Sequence, residues 1–227
     1  MKVTAKDSSL AVLDEVFEQE RFQYFWNYFN GLEYAYRSST AWQKVWRIND
    51  GQVLASLSSY NSKAPFNNPM DWIDQTVTAL AGQLEDVVGK KGEDWNDIIY
   101  TPYIYPAGTK ISWHDDIGYT GACIFYPHQE WNPHWGGELY IAKTPSPEES
   151  KQLVLNNAKG SVVDTMTRDY VAPLLNAYGM GTYVAPLPNR MVFTSGAVWH
   201  AVNRVDVAAG DKMRCSIVAF FLPEKVS

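Results

Sequence analysis

At 227 residues the chain has the size of one domain with a substantial buried core. Its 46% hydrophobic and 19% charged content excludes a disordered chain. The net charge of −6 is the wrong sign for a general nucleic-acid binder, which needs a clustered basic face.

The first twenty residues, "MKVTAKDSSLAVLDEVFEQE", hold no apolar stretch long enough for a signal peptide. No run of about 18 apolar residues occurs anywhere, so a soluble, cytoplasmic protein is expected. A helix is predicted from the Ser8–Ser9 cap onward, with Leu13, Val16, Phe17, Tyr24 and Phe25 at helical spacing. "KVWRINDGQVLASLSSY" follows, an Asn-Asp-Gly turn between two strand-like arms, which predicts a hairpin. A second helix is signalled by Asn68 as cap, Pro69 at the first helical position and Gly89 near the end. From Asp97 the texture changes to short β-branched and aromatic runs broken by Gly and Pro: "DIIYTPYIYPAG", "GACIFYP", "GELYIA", "RMVFTSG" and "RCSIVAFFLP". Strands of that length and spacing predict a sandwich, jelly roll or barrel. Aromatics at 14% suit such a sheet-rich protein. "PHQEWNPHWGG" reads as a hairpin loop. Residues at about 145–180 read as an insertion containing a helix-like "VVDTMTRDYVAPLLNAYG". The organisation is one domain, 1–227, with a mainly helical part over 1–95 and a β-rich part over 96–227. Cys123 and Cys215 lack CxxC or zinc spacing and read as two buried, reduced thiols, with a single disulfide as the alternative.

Chemistry concentrates in "ISWHDD". On a strand, side chains alternate, so His114 and Asp116 project to one face while Trp113 and Asp115 project to the other. Iron(II) in non-haem oxygenases is held by two histidines and one carboxylate, with further positions left open. The second imidazole must be His128, His134 or His200. His200, in "VFTSGAVWHAV" between two strands, is favoured, because His128 and His134 read as exposed loop histidines. Asp115 could replace Asp116 if the backbone turned sharply. On the next strand, "KMRCSIVAFF", Arg214 and Ser216 share a face. A guanidinium grips a carboxylate bidentately and a neighbouring hydroxyl adds a bond, which suits a cosubstrate with a chelating head and an anionic tail, such as 2-oxoglutarate.

From about Tyr103 to Pro223 the sequence resembles the iron(II)/2-oxoglutarate-dependent dioxygenases, in particular their prolyl 4-hydroxylase-like branch. "YPAGTKISWHDD" is similar to the family's Tyr-x-x-Gly lead-in to H-x-D. "CIFYPHQEWNPHWGGELYI" is similar to the segment with an aromatic pair, Trp and Gly-Gly-(Glu)-Leu. "PNRMVFTSGAVWHAV" resembles the segment of the distal histidine, and "RCSIVAFF" the strand of the clamping arginine in its R-x-S form. The resemblance implies a mainly β, α+β fold: a double-stranded β-helix (jelly-roll, cupin-like) core with packed N-terminal helices. It implies His114, Asp116 and His200 as iron ligands, Arg214 and Ser216 on the distal carboxylate of 2-oxoglutarate, and Tyr126 and Tyr105 in the same pocket. The interval from His200 to Arg214 is longer than in many relatives, and Arg204 or Lys212 could compete as the anchor.

The implied reaction couples oxygen and 2-oxoglutarate to hydroxylation of an unactivated C–H bond, releasing succinate and carbon dioxide, with ascorbate as an accessory reductant. In related halogenases chloride takes the place of the carboxylate; with Asp116 present, halogenation is disfavoured. A small molecule is the expected substrate and a peptidyl, prolyl-type hydroxylase the runner-up. Two further alternatives are a cupin-like metalloenzyme that does not use 2-oxoglutarate and a non-catalytic jelly roll that binds sugar or protein. No nucleic-acid or membrane partner is expected.

Overall fold

Leu10, Ala11, Val12 and Leu13 are all buried. A helix of that length on a surface would expose one of the four, whereas a strand between two layers buries both faces. The chain takes the second course, and the helix predicted from Ser8–Ser9 begins only at Gln19. Glu15, at φ 54°, breaks the backbone between the two elements.

The computed structural model describes residues 1–37, 50–116, 118–143, 175–176, 179 and 181–223. In chain order it contains strands β1 (Lys2–Lys6) and β2 (Leu10–Asp14), helix α1 (Gln19–Asn30), and strands β3 (Tyr34–Tyr36), β4 (Leu54–Ser56) and β5 (Tyr60–Asn61). Helices α2 (Met70–Ala81) and α3 (Glu85–Val88) precede β6 (Trp95–Tyr105), β7 (Ile111–His114), β8 (Gly121–Phe125) and β9 (Leu139–Ile141). The last strands are β10 (Thr182–Val184), β11 (Met191–Ser195), β12 (His200–Val202) and β13 (Arg214–Pro223). The first arm of the predicted hairpin and nearly all of the 145–180 insertion lie outside the described residues; of its helix-like stretch only residues 175–176, which are helical, and 179 are described.

A large antiparallel sheet runs β1-β2-β11-β8-β13-β6-β4-β3, with β5 also on β6, and a small one runs β10-β9-β12-β7. This is the two-sheet architecture expected of a jelly roll. The connection 126–138 is not a hairpin loop: β8 pairs with β11 and β13, β9 with β10 and β12, so it crosses from one sheet to the other.

Parity along each strand sorts the side chains. Cys123, Phe125, Ile217, Ala219 and Phe221 face the helices, where Phe22, Phe25 and Phe29 of α1 and Ile73 and Val77 of α2 are buried. Phe125 sits at the centre of that layer, in edge contact with Phe17, Phe22 and Phe25. Because α1 starts late, its buried face is Phe22, Phe25 and Phe29, and Tyr24 is 58% exposed. Residues of opposite parity, including Tyr103, Ile124 and Val192, meet Leu139, Ile141 and Val202 of the small sheet in a second core.

The predicted second helix is divided. Asn68 Oδ1 does accept the Met70 N–H at 2.9 Å, but α2 stops at Ala81 and α3 carries the chain to Gly89, at φ 81°. The N-terminal part is bonded to the β-rich part by side chains. Asn189 holds Phe17 through both amide atoms, at 3.0 and 2.8 Å, and Arg190 grips Asp14 bidentately at 2.6 and 2.9 Å. Both cysteines are buried and free. No helix among the described residues is long and apolar enough to cross a membrane.

Candidate active site

β7 and β12 are neighbours, with His200 directly opposite His114. Opposed residues of an antiparallel pair approach closely, and the two imidazole centroids are 4.2 Å apart. The His114 Nδ1–H donates to the Ser112 carbonyl at 2.8 Å and the His200 Nδ1–H to the Val198 carbonyl at 2.9 Å. A carbonyl only accepts, so each Nδ1 carries the proton and each Nε2 presents a lone pair. His200 Nε2 lies 3.5 Å from Asp116 Oδ2, and the donor atoms of His114, Asp116 and His200 all fall within 4.8 Å of one another. Two imidazole nitrogens and one carboxylate oxygen form the donor set suited to non-haem iron(II). Asp115 is outside this cluster. Burial pushes the Asp116 carboxyl above its ordinary range, opposed by the His200 imidazole and reinforced by Asp115.

Asp116 lies just beyond the end of β7, and Gly196 places it. The Asp116 N–H donates to the Gly196 carbonyl at 3.0 Å, and the Gly196 N–H donates to Thr120 at 3.1 Å. A Cβ at 196 would stand 2.0 Å from the Tyr119 carbonyl oxygen and 3.1 Å from that of Asp116. Gly196→Ala should therefore displace the 116–120 turn and lower stability by about 1–3 kcal/mol. Denaturant unfolding and metal titration, in which binding weakens with the displaced carboxylate, check this.

A single cavity holds the cluster and the predicted anchor. It is lined by His114, Asp116, His200, Arg214 and Ser216 and closed by apolar side chains of both sheets. Arg214 is 1% exposed. Its Nε–H donates to the Gly137 carbonyl at 2.6 Å, and an Nη2–H donates to the Tyr126 hydroxyl at 3.3 Å. The guanidinium carbon lies 4.7 Å from the Tyr105 ring centroid and 5.0 Å from that of Tyr126. No ion pair joins Arg214 to a carboxylate among the described residues. Ser216, fully buried beside it, makes no well-formed hydrogen bond among the described residues, although its hydroxyl is near enough to the Tyr105 phenol to ease that group's ionisation. A buried cation and an unsatisfied hydroxyl facing one cavity fit an anionic ligand group. Burial raises the Tyr105 phenol, partly offset by the Arg214 charge and the nearby Ser216. The competing anchors are elsewhere: Arg204 is exposed and bonded to the Gly108 carbonyl, and Lys212 pairs with Glu130 at 2.7 Å.

Two residues have roles that the sequence did not suggest. Gly137, at φ 73°, would place a Cβ 2.8 Å from Arg214 Cδ, so this glycine makes room for the arginine as well as accepting from it. His128 is 3% exposed, not an exposed loop histidine. Its Nε2–H donates to Pro186 O at 2.6 Å and its Nδ1 accepts the Cys215 N–H at 3.2 Å, so it braces the start of β13. His134 is exposed, as expected.

Burial, chiefly, lowers His128 from 6.5 to about 4. The unfolded chain thus takes up a proton that the folded one refuses. The His128 contribution to stability is expected to be full above pH 6.5 and to decline by up to about 3 kcal/mol as pH falls toward 4. Unfolding free energies measured across that window should show the slope, and His128→Gln should flatten it.

No protein-family model and no curated protein matches the sequence. Solved structures do. A Pseudomonas putida prolyl-4-hydroxylase aligns over 94% of this chain and 92% of its own, at 12% identity and a TM-score of 0.56. A Trichoplax adhaerens prolyl hydroxylase, solved with a hypoxia-inducible-factor peptide, aligns over 96% and 85%, at 14% identity and a TM-score of 0.59. HygX from Streptomyces hygroscopicus, solved with nickel and 2-oxoglutarate, aligns over 96% and 84%, at 13% identity and a TM-score of 0.54. The chain thus has the fold of the iron(II)/2-oxoglutarate oxygenases and carries on it a His-x-Asp…His cluster.

Proposed function

We propose that the protein is an iron(II)- and 2-oxoglutarate-dependent oxygenase that hydroxylates a small molecule. The observation that carries this reading is the sharing of one cavity by the His114–Asp116–His200 cluster and a buried guanidinium with no carboxylate paired to it among the described residues. The three side chains would hold iron(II) through two Nε2 atoms and a carboxylate oxygen. Arg214 and Ser216 would hold the distal carboxylate of 2-oxoglutarate. Bound iron(II) and 2-oxoglutarate supply oxygen activation coupled to decarboxylation.

The protein's own share is positional. The Ser112 and Val198 carbonyls keep both Nδ1 protons away from the cluster, so no N–H competes for the metal side. The Tyr105 and Tyr126 rings cover the guanidinium and exclude water from it, which strengthens its hold on an anion. Ala122, Val218 and Phe220 add an apolar wall. Apart from the cluster and Arg214, the lining carries no charged side chain among the described residues. That composition favours a small substrate presenting an uncharged C–H group. The runner-up, a prolyl-type peptidyl hydroxylase, draws support from the similarity to prolyl hydroxylases.

Calorimetric titration of 2-oxoglutarate into anaerobic, iron-loaded protein tests the reading. Binding that requires the metal, followed by succinate on admitting oxygen, is the expected result. Absence of heat would favour a metalloenzyme that does not use 2-oxoglutarate. Succinate release stimulated by capped prolyl peptides, and not by small neutral compounds, would favour the runner-up.

A further inference from the structure

The Asp50–Gly51 end of the Asn-Asp-Gly stretch lies against the strand that carries His114. Asp50 is fully buried, at 0% exposure, an unfavourable place for a carboxylate unless its oxygens are satisfied. Among the described residues, Ser112 engages both of them. The Ser112 N–H donates to Oδ2 at 3.0 Å and the Ser112 hydroxyl to Oδ1 at 2.7 Å. The Lys110 ammonium stands 3.6 Å from Oδ1, and the Lys110 N–H donates to the Asp50 carbonyl at 2.8 Å. Gly51, at φ 81°, allows the approach, since a Cβ there would lie 3.3 Å from both Gly108 O and Thr109 Cα.

β7 needs such a clamp. Among the described residues it is the edge of the small sheet, with β12 as its one strand partner. Ser112 is gripped by Asp50 at its N–H and hydroxyl, and its carbonyl receives the His114 Nδ1–H. Fixing Ser112 therefore fixes the acceptor that sets the tautomer and ring direction of His114. His200 has no comparable need: its acceptor, Val198, sits in the turn between β11 and β12 and donates its own N–H to Ser195 O at 3.2 Å.

We propose that Asp50 is the positioning residue for His114, acting through Ser112 on the nitrogen turned away from the metal side. The proposal rests on the reading of His114, Asp116 and His200 as metal ligands. Groups that orient a liganding imidazole in this way typically contribute about 10–100-fold to metal affinity.

The test uses the full chain and cobalt(II) under anaerobic conditions. Asp50→Ala should weaken cobalt binding by about 10–100-fold. It should also alter one of the two hyperfine-shifted, solvent-exchangeable imidazole N–H resonances, that of His114, while leaving that of His200 in place. Asp50→Asn can accept the Ser112 N–H and donate to its hydroxyl, so it should restore both readouts most of the way. Should Asp50→Ala fail to fold, Ser112→Ala decides by the same measurements, with an expected loss of about threefold to tenfold. Folded variants with wild-type cobalt affinity and an unmoved His114 resonance would overturn the role of Asp50 alone. Cobalt binding left intact by His200→Ala would overturn the metal-site reading itself, and the positioning role with it.

Discussion

His114→Ala is expected to reduce iron-dependent succinate formation to background. The substitution removes one of three donor atoms and leaves a carboxylate and one imidazole. Disturbing only the partner of a liganding imidazole costs about 10–100-fold in metal affinity, so removing the imidazole itself should cost more than about 100-fold. The effect on the fold should be small. Among the described residues the His114 Nδ1–H donates to the Ser112 carbonyl, and losing that bond costs about 1 kcal/mol. A normal unfolding curve, absent metal binding and absent succinate are therefore expected together. Succinate formation that persists with the metal requirement intact would remove His114 from the ligand set.

Arg214→Met separates the cosubstrate from the metal. Truncating one partner of a buried, hydrogen-bonded charge pair typically costs about 2–5 kcal/mol, which is roughly a thirtyfold to several-thousandfold rise in the 2-oxoglutarate Kd. Metal affinity should be unchanged. The ligand-free fold should not suffer in proportion, because the buried guanidinium has no carboxylate paired to it among the described residues and methionine fills much of the same volume. Anaerobic titrations of metal and of 2-oxoglutarate, run separately, resolve the two. Tight 2-oxoglutarate binding in Arg214→Met would mean that the anion anchor lies elsewhere.

What could be read from sequence followed strand parity. Arg214 and Ser216 two apart, and His114 and Asp116 two apart, were assigned to one cavity from alternation and resemblance, and the geometry groups them. Alternation alone does not place Asp116, whose position depends on Gly196, eighty residues away along the chain. Leu10–Asp14 is not legible as a strand because a continuous apolar run has no period, and a capping serine before it suggests a helix. The burial of His128 is not legible because its Pro and Gly neighbours suggest an exposed loop, whereas its partners are the carbonyl of Pro186 and the N–H of Cys215, both distant in sequence. The Asn-Asp-Gly stretch has the composition of a turn, and nothing local reveals that its aspartate will meet Ser112.

β13 serves two masters: its odd-numbered residues, Cys215 to Phe221, fill the helical layer, and its even-numbered ones, Arg214 to Phe220, face the cavity. A slip of one residue against its neighbours would turn the guanidinium into the aromatic layer and a thiol toward the chelating groups. The lock against that error is the long ladder with β6, which runs from Arg214↔Tyr105 to Pro223↔Trp95. Fidelity of strand alignment during folding is thus a condition for activity, and errors in it would yield well-formed sheets that are chemically inert.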